Sequence, residues 1–555
     1  MTELLVVLVA ALVVIAAATV AGPRLGIAAP LVLVAVGVGA SLLPVFASVR
    51  IDPEWILEGV LPPLLYSSAV SMPAMNFRRE FGAISGLSVV LVVGSALLLG
   101  LFFSLVIPGL GFAWGVALGA IVSPTDAVAT SIVKQTSVSR RVVAMLDGES
   151  LLNDATALVL LRTATAATAM AFSFWGALGS FAYAVAVAAV VGWAAGALNL
   201  FVRRRITDPT VNTVISFVVP FAASVPAELL GASGLVAAVV AGLVTGVLAP
   251  RMLSPQNRLS DTQNWRTVEL VLEGAVFLTM GLQIKGIVGD VERDHAGVLP
   301  ALLVAVGALV LTVLVRTAYV APLLAVLHAR GRRIGPMRTR MQQMQERLAT
   351  PEGRQETFRE ANPRSRRTAS ERTLDRFAFR VTQAVADLEY FRKAPLGWRE
   401  GTAVVWAGMR GAVTVAAAQT LSEETPQRSV LVLVAFAVAA LSLVVQGGTI
   451  GPLLRRIAPR VDEAAAAEQT AAEQGRIVDL LRTATETVDA PPEPARTQDG
   501  FIVAKAHRLA VITAQRSALL DARDHGTFDA DLLARALENL DASQIAIEMR
   551  GSLAV

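Results

Sequence analysis

The stretch Gly148-Glu149-Ser150-Leu151-Leu152-Asn153-Asp154 sets two carboxylates, a hydroxyl and an amide inside an apolar run from about Val142 to Met170. A carboxylate surrounded by that much hydrocarbon is costly, and membrane segments keep such groups for ion or proton chemistry. On a helix Ser150 and Asp154 lie four apart and share one face, while Glu149 and Asn153 share the next. One face can therefore offer a carboxylate and a hydroxyl to a small cation while the adjoining face ties into other helices. The competing reading is a buried polar network that only locks helix packing.

A second constellation is Ser123-Pro124-Thr125-Asp126, set among small and apolar residues. Proline removes an amide hydrogen and obstructs the preceding turn, so the spacing predicts a helix broken near the middle of its span. The freed backbone is tolerated in a bilayer only where it faces protein or a water-filled cavity. A further candidate break is Trp406-Ala407-Gly408-Met409-Arg410-Gly411-Ala412-Val413-Thr414, with glycines on either side of a lone arginine. Arg410 stays charged and needs an acidic partner within a membrane, and Glu149 is the expected one. Asp154 is then left as the group free to change state, and Asn153 is placed to cap backbone freed around Thr125. Glu273 reads as a packing or network residue, and Glu58 and Asp147 as funnel-lining or interfacial acids.

These residues need helices to hold them, and the composition supplies membrane helices. The chain has 555 residues, 54% of them hydrophobic, and a mean hydropathy of +0.59. Apolar runs near spanning length fall at about 3–21, 26–47, 55–72, 83–108, 112–133, 142–168, 175–199, 210–227, 231–250, 267–284, 297–327, 399–420 and 428–453. The fold class expected is thus an all-α polytopic membrane protein of about 13 transmembrane helices, with the fifth and twelfth broken. Basic residues cluster after the odd-numbered runs (Arg78 and Arg79, Arg140 and Arg141, Arg203 to Arg205, Arg455 and Arg456). The positive-inside rule then puts the amino terminus outside and the carboxyl terminus in the cytoplasm. The first run lacks a basic flank and reads as a retained helix rather than a cleaved leader. Breaks in runs five and twelve would suit an inverted repeat, the layout of secondary transporters whose discontinuous helices meet at mid-membrane.

The expected organisation is residues 1–328 for helices one to eleven, 329–398 for a charged helical insert, 399–456 for helices twelve and thirteen, and 457–555 for a helical carboxyl-terminal domain. In the insert, Met341, Met344 and Leu348 sit at helical spacing, as do Leu374, Phe377, Val381, Val385, Leu388 and Phe391. The polar, basic stretch Pro351 to Arg372 between them reads as a flexible or lipid-surface connection. The tail reads as two or three helices broken at Pro491-Pro492-Glu493-Pro494. With no cysteine, disulfides and thiolate chemistry are excluded, and the four histidines all fall at or outside the expected membrane edges.

Gly148–Asp154 followed by Ala155-Thr156-Ala157, together with Ser123-Pro124-Thr125-Asp126, resembles the monovalent cation:proton antiporter-1 family of bacterial and eukaryotic sodium/proton exchangers. Leu61-Pro62-Pro63-Leu64-Leu65-Tyr66, Ser233-Gly234-Leu235-Val236-Ala237, Met409-Arg410-Gly411-Ala412-Val413 and Val445-Gln446-Gly447-Gly448-Thr449 extend the likeness from about 60 to 450. The resemblance implies a homodimer in the plasma membrane, serving pH homeostasis by exchanging Na⁺ (or another alkali cation, such as Li⁺) for H⁺ through alternating access. It implies Asp154 as the ion- and proton-binding carboxylate, Ser150 as a ligand, and Thr125 as a backbone-oxygen ligand of Na⁺, with Asp126 in support. Glu149, Arg410 and Asn153 would hold the crossing together, and the Asn-Asp pair implies electroneutral one-for-one exchange. Several members carry a glutamate just after the Pro-Pro and aromatic residues, where this chain has Tyr66-Ser67-Ser68; Ser67 then offers an uncharged oxygen.

A carboxylate in a partly dry cavity can hold a proton or a dehydrated alkali cation, and the two compete. Oxygen ligands suit hard cations. The partners expected are a monovalent cation, a proton, membrane lipid and a second copy of the chain, with no cofactor and no nucleic acid. The nearest alternative is a K⁺/H⁺ or broad-specificity antiporter. An intramembrane aspartyl protease would need Tyr-Asp and Gly-x-Gly-Asp motifs that Asp126 and Asp154 lack, a channel suits a single titrating site less well, and no phosphate-binding glycine loop marks an ATPase, so a transporter rather than an enzyme is expected.

Overall fold

The computed structural model describes all residues except 1, 26–27, 44–51, 135, 137, 170–173, 296, 333, 349, 362–369, 458–462, 491–497 and 551–555. Its ordered elements are helices. They run α1 (Thr2–Leu25), α2 (Ala29–Ser41), α3 (Leu61–Ser71), α4 (Ala74–Ser85), α5 (Val92–Val106), α6 (Phe112–Val122), α7 (Val128–Val133) and α8 (Arg140–Ala169). Then come α9 (Phe174–Arg203), α10 (Pro209–Leu229), α11 (Gly234–Met252), α12 (Pro255–Leu282), α13 (Ile284–Arg293) and α14 (Val298–Arg332). The chain continues with α15 (Ile334–Arg347), α16 (Pro351–Ala361), α17 (Glu371–Lys393), α18 (Trp398–Trp406), α19 (Ala412–Gln419), α20 (Arg428–Ser442) and α21 (Gly448–Ile457). It closes with α22 (Glu463–Glu486), α23 (Gln498–His525) and α24 (Ala530–Met549).

Among the described residues, eight helical segments are long and apolar enough to cross a membrane, and Ala29–Ser41 and Phe112–Val122 are shorter apolar helices. One helix reaches further than its hydropathy suggests. The tenth apolar run begins near 267, yet α12 starts at Pro255, because polar side chains between them are compatible with a helix that projects beyond hydrocarbon. Local chemistry sets several starts. Asp208 precedes Pro209, and its carboxylate accepts from the amides of Thr210 and Val211 at the head of α10. Ser233 likewise accepts from the Val236 amide at the head of α11.

The chain divides into two compact units. The first comprises Met1–Leu253, Ser260–Leu323 and Trp398–Pro459. Lipid gives helices no hydrophobic reason to associate, so close packing of small residues has to hold them. Glycine supplies it here. A Cβ on Gly242 or Gly246 of α11 would come within 2.7 or 2.6 Å of the Tyr66 or Val70 carbonyl of α3. Gly192 and Gly196 of α9 meet the backbone of α11 in the same manner, and Gly100 of α5 faces Val116 of α6. Two tightly seamed panels result, α9–α11–α3 and α5–α6.

Two buried arginines in this unit are paired with acids. Arg141 meets Glu80 of α4 at 2.6 Å. Arg203, expected in a loop, is the last residue of α9 and fully buried, bonded to Asn212 and Asp261. Its position just past a spanning stretch gave it the look of a loop charge, but the partners on α10 and α12 draw it inward.

The second unit comprises Ser254–Leu259, Leu324–Gly397 and Arg460–Val555. It joins the insert and the carboxyl-terminal tail. Pro351–Ala361 is helical rather than a loose connection: the Thr350 hydroxyl accepts from the Gly353 amide, Pro351 takes the first helical position and Glu352 the second. Glu371 and Arg372, at the end of that connection, open α17, while residues 362–369 lie outside the described residues, as does the break at Pro491–Pro494. Ile477, Ile512, Leu519, Leu533 and Leu540 from α22, α23 and α24 form one apolar core. Burying each contributes roughly 1.5–3 kcal/mol at most. Leu374 and Val381 are the buried members of the α17 stripe.

Candidate functional site

Two interrupted helices meet in the first unit. Between α6 and α7 the backbone of Ser123–Ala127 leaves the helix, and between α18 and α19 that of Ala407–Gly411 does the same. The Asp126 amide donates to the Met409 carbonyl at 2.8 Å, tying one gap to the other. The Asp126 carboxylate accepts from the Val128 amide at 2.9 Å and so caps α7. It also sits over Gly411, where any Cβ would collide with it. That contact explains a glycine beside Arg410.

Freed carbonyls at the break need donors, and Arg410 supplies them. Its Nε donates to the Val122 carbonyl at 2.9 Å and its Nη2 to that of Ser123 at 3.3 Å, with a further bond to Gly408. Arg410 therefore does not form the expected ion pair with Glu149. Arg316 of α14 does: its terminal nitrogens reach Glu149 Oε1 at 2.5 Å and Oε2 at 2.7 Å, and its Nε donates to the Val404 carbonyl at 2.9 Å. A bidentate fork satisfies both carboxylate oxygens, while the end of a broken helix presents carbonyls that suit the second arginine.

The Glu149–Asn153 face of α8 is tied to the break. The Asn153 amide donates to the Thr125 carbonyl at 2.9 Å and hydroxyl at 2.8 Å, and the Thr125 hydroxyl donates to Glu149 at 3.1 Å. The other face is open. Ser150 and Asp154 line a cavity of ≈ 110 Å³ with Thr125, Asp126, Glu269 and Glu273. Ser150 donates to its own helix at the Asp147 carbonyl, 3.0 Å, which leaves its oxygen lone pairs available. Among the described residues no hydrogen bond or ion pair holds Asp154.

Sequence reasoning missed two residues. Arg316 is one. The other is Glu269, whose carboxylate accepts from the Ser67 hydroxyl at 3.3 Å. Ser67 thus has a carboxylate beside it after all, delivered from α12 instead of α3. Glu273, expected in a packing network, lines the cavity one turn further along α12. Asp147 pairs with Lys134 at 3.0 Å, and Glu58 lines a separate chamber. The four-residue spacing of Glu269 and Glu273 on one face was the available signal for the missed acid.

The family description "Sodium/hydrogen exchanger, transmembrane" matches residues 7–348 and 376–456. The chain is 37% identical over 272 residues to the Na(+)/H(+) exchanger YjcE of Escherichia coli, covering 46% of this chain and 49% of that protein. It thus spans about half the length of that relative. To the "Sodium, potassium, lithium and rubidium/H(+) antiporter" of Bacillus subtilis it is 29% identical over 276 residues, 48% of this chain and 41% of the relative. In fold it is similar to the sodium proton antiporter MjNhaP1 from Methanocaldococcus jannaschii, with a TM-score of 0.54 at 14% identity over 82% of this chain and 99% of that one.

Proposed function

Because the chain belongs to the sodium/hydrogen exchanger family, we propose that it is a secondary antiporter exchanging Na⁺ for H⁺ at Asp154. The observation that carries this reading is a carboxylate free of protein partners among the described residues, lining a cavity at the crossing of two interrupted helices. Every polar neighbour there offers oxygen, the ligand of hard alkali cations. Asp154 and Ser150 are the proposed direct ligands. Thr125 contributes through its carbonyl, whose second lone pair is not used by Asn153, and Asp126, Glu269, Glu273 and Ser67 set the charge of the chamber. Asn153, Glu149 and Arg410, joined by Arg316, hold the crossing in shape.

Proton and cation compete for Asp154, and crossing only when loaded suffices to couple their flows. One exchanging carboxylate, with Asn153 beside it committed to Thr125, supports one-for-one electroneutral exchange. The further expectations are a homodimer in the plasma membrane with its amino terminus outside and carboxyl terminus in the cytoplasm. A second reading, broad specificity that includes K⁺, is supported by the cations for which the Bacillus subtilis relative is named.

The test is proton movement into proteoliposomes under an imposed pH gradient, with Na⁺, Li⁺ or K⁺ added in turn. Collapse by Na⁺ and Li⁺, unchanged by an imposed membrane potential and absent in Asp154→Asn, is the expected result. An equal response to K⁺ would favour the broad reading. Coupled exchange by Asp154→Asn would refute the site.

A further inference from the structure

Voids in the first unit run on past Asp154. On the far side from the ≈ 110 Å³ cavity lies a void of only ≈ 10 Å³, walled by Ala120, Ile121, Ala157, Leu158, Leu161 and Ala417. It shares Asp154, Pro124 and Val413 with the larger cavity. Beyond Leu158 and Leu161, which border both spaces, opens a chamber of ≈ 560 Å³ whose wall carries Glu54, Glu58, Arg162, Glu228 and Glu424. Asp154 therefore stands between a cavity on the Arg140 side of α8 and a polar chamber on the Ala169 side. A void of that size, lined by hydrocarbon apart from Asp154, gives water too few hydrogen-bond partners to settle. The chamber has the size and the polar lining to hold water, and the neck has neither.

The neck has a polar fastening beside it. Arg162 directly follows Leu161 and lies four residues beyond Leu158, on the same side of α8. Its Nη2 meets Glu228 Oε1 at 3.4 Å. Glu228 belongs to the last turn of α10, and its side chain lies against Gly234, the first residue of α11. The pair thus fastens the helix that bears Asp154 to the α10–α11 turn, beside the two leucines. At side-chain exposures of 63% and 32% it is a pair that water can open readily.

We infer that Leu158 and Leu161 are the gate that shuts Asp154 off from the far chamber, and that Arg162–Glu228 is the latch that keeps this gate closed. The inference rests on the antiporter reading for its purpose, since a competing-ion site must be open to one side at a time. Its geometry can be tested without any transport measurement.

The chain has no cysteine, so a single introduced thiol is the only target for a membrane-impermeant, cationic methanethiosulfonate reagent. Thr168→Cys reports the chamber, and Ala157→Cys, at a position 3% exposed in the neck, reports the space behind the gate. The reagent is applied to each face of vesicles holding the full chain, after gel filtration has shown each variant to be monodisperse. From the chamber face Thr168→Cys should react fast and Ala157→Cys at least about tenfold slower, as a site reached only by transient opening. Adding Glu228→Gln should raise the Ala157→Cys rate about two- to fivefold, the bias an exposed ion pair can exert. The exchange Arg162→Glu with Glu228→Arg should return it. Leu158→Ala with Leu161→Ala should open the neck directly and raise the rate further. Equal rates at positions 157 and 168 with the native gate would overturn the inference, as would no response to either the latch or the leucine changes. Failure of ion exchange with this labelling pattern intact would count against the antiporter reading and leave the gate standing.

Discussion

Arg316 closes on Glu149 with both ends of its guanidinium, across 167 residues of sequence, and the two side chains are only 3% and 2% exposed. This pair anchors α8 to α14, and Arg410 takes no part in it. Breaking a buried ion pair leaves an uncompensated charge and costs about 3–5 kcal/mol, whereas removing both partners costs less. Glu149→Gln and Arg316→Met should each lower the melting temperature in detergent sharply, and the double variant should recover much of the loss. Additive losses would show that the two side chains act separately.

The Ser67–Glu269 hydrogen bond gives a prediction on affinity. Glu269→Gln removes a charge from the cavity and should raise the cation concentration for half-maximal exchange about tenfold, equivalent to ~1.4 kcal/mol. Ser67→Ala should have a smaller effect in the same direction, because the carboxylate stays. A Glu269→Gln protein with unchanged cation dependence would remove Glu269 from the site.

Asp208 caps α10, and the amides of Val211 and Thr210 hold its carboxyl below the ordinary range. A group depressed in the folded state adds stability that is present above its unfolded value and lost as pH falls through the folded one. Protection of the Thr210 and Val211 amides against hydrogen exchange should therefore fall on acidification. Asp208→Asn should keep the cap without that dependence, and Asp208→Ala should lose protection at every pH. A flat wild-type profile would contradict the cap.

In the second unit Arg258 and Arg516 share one carboxylate, Asp541, with Arg516 at 2.9 Å. Burial, and then the neighbouring Arg258, push the Arg516 guanidinium down from its usual range. Asp541→Asn leaves two like charges together and should loosen α24 by about 2–3 kcal/mol. Limited proteolysis should then cut the tail faster, and high salt should narrow the gap from wild type. Unaltered proteolysis would show that other contacts hold this helix.

Much of the site was legible because its signals are local. The four-residue step from Ser150 to Asp154 and the proline at position 124 declare a polar face and a break without any knowledge of partners. The choice of partner for Glu149 was not legible. Arg410 and Arg316 are both arginines near apolar stretches, and the feature that separates them is the unpaired carbonyls of Val122 and Ser123, which exist only once α6 ends. Glu269 was hidden by its surroundings: Asn264, Arg266 and Thr267 dilute the hydropathy of α12 there, so the acid looked like the margin of a span. Arg203 was misread for a related reason, since a basic residue at the end of an apolar run looks the same whether it faces water or Asp261.

The glycine seams have a mechanical consequence. Where two backbones touch, no side chain can flex between them, and protein packed this densely hardly compresses. Under load, α9, α11 and α3 respond as one stiff plate, and α5 with α6 as another. The cavity at Asp154 lies beside these plates, lined in part by α3 and by the break that follows α6. A tilt of either plate would therefore carry its share of that lining as a block.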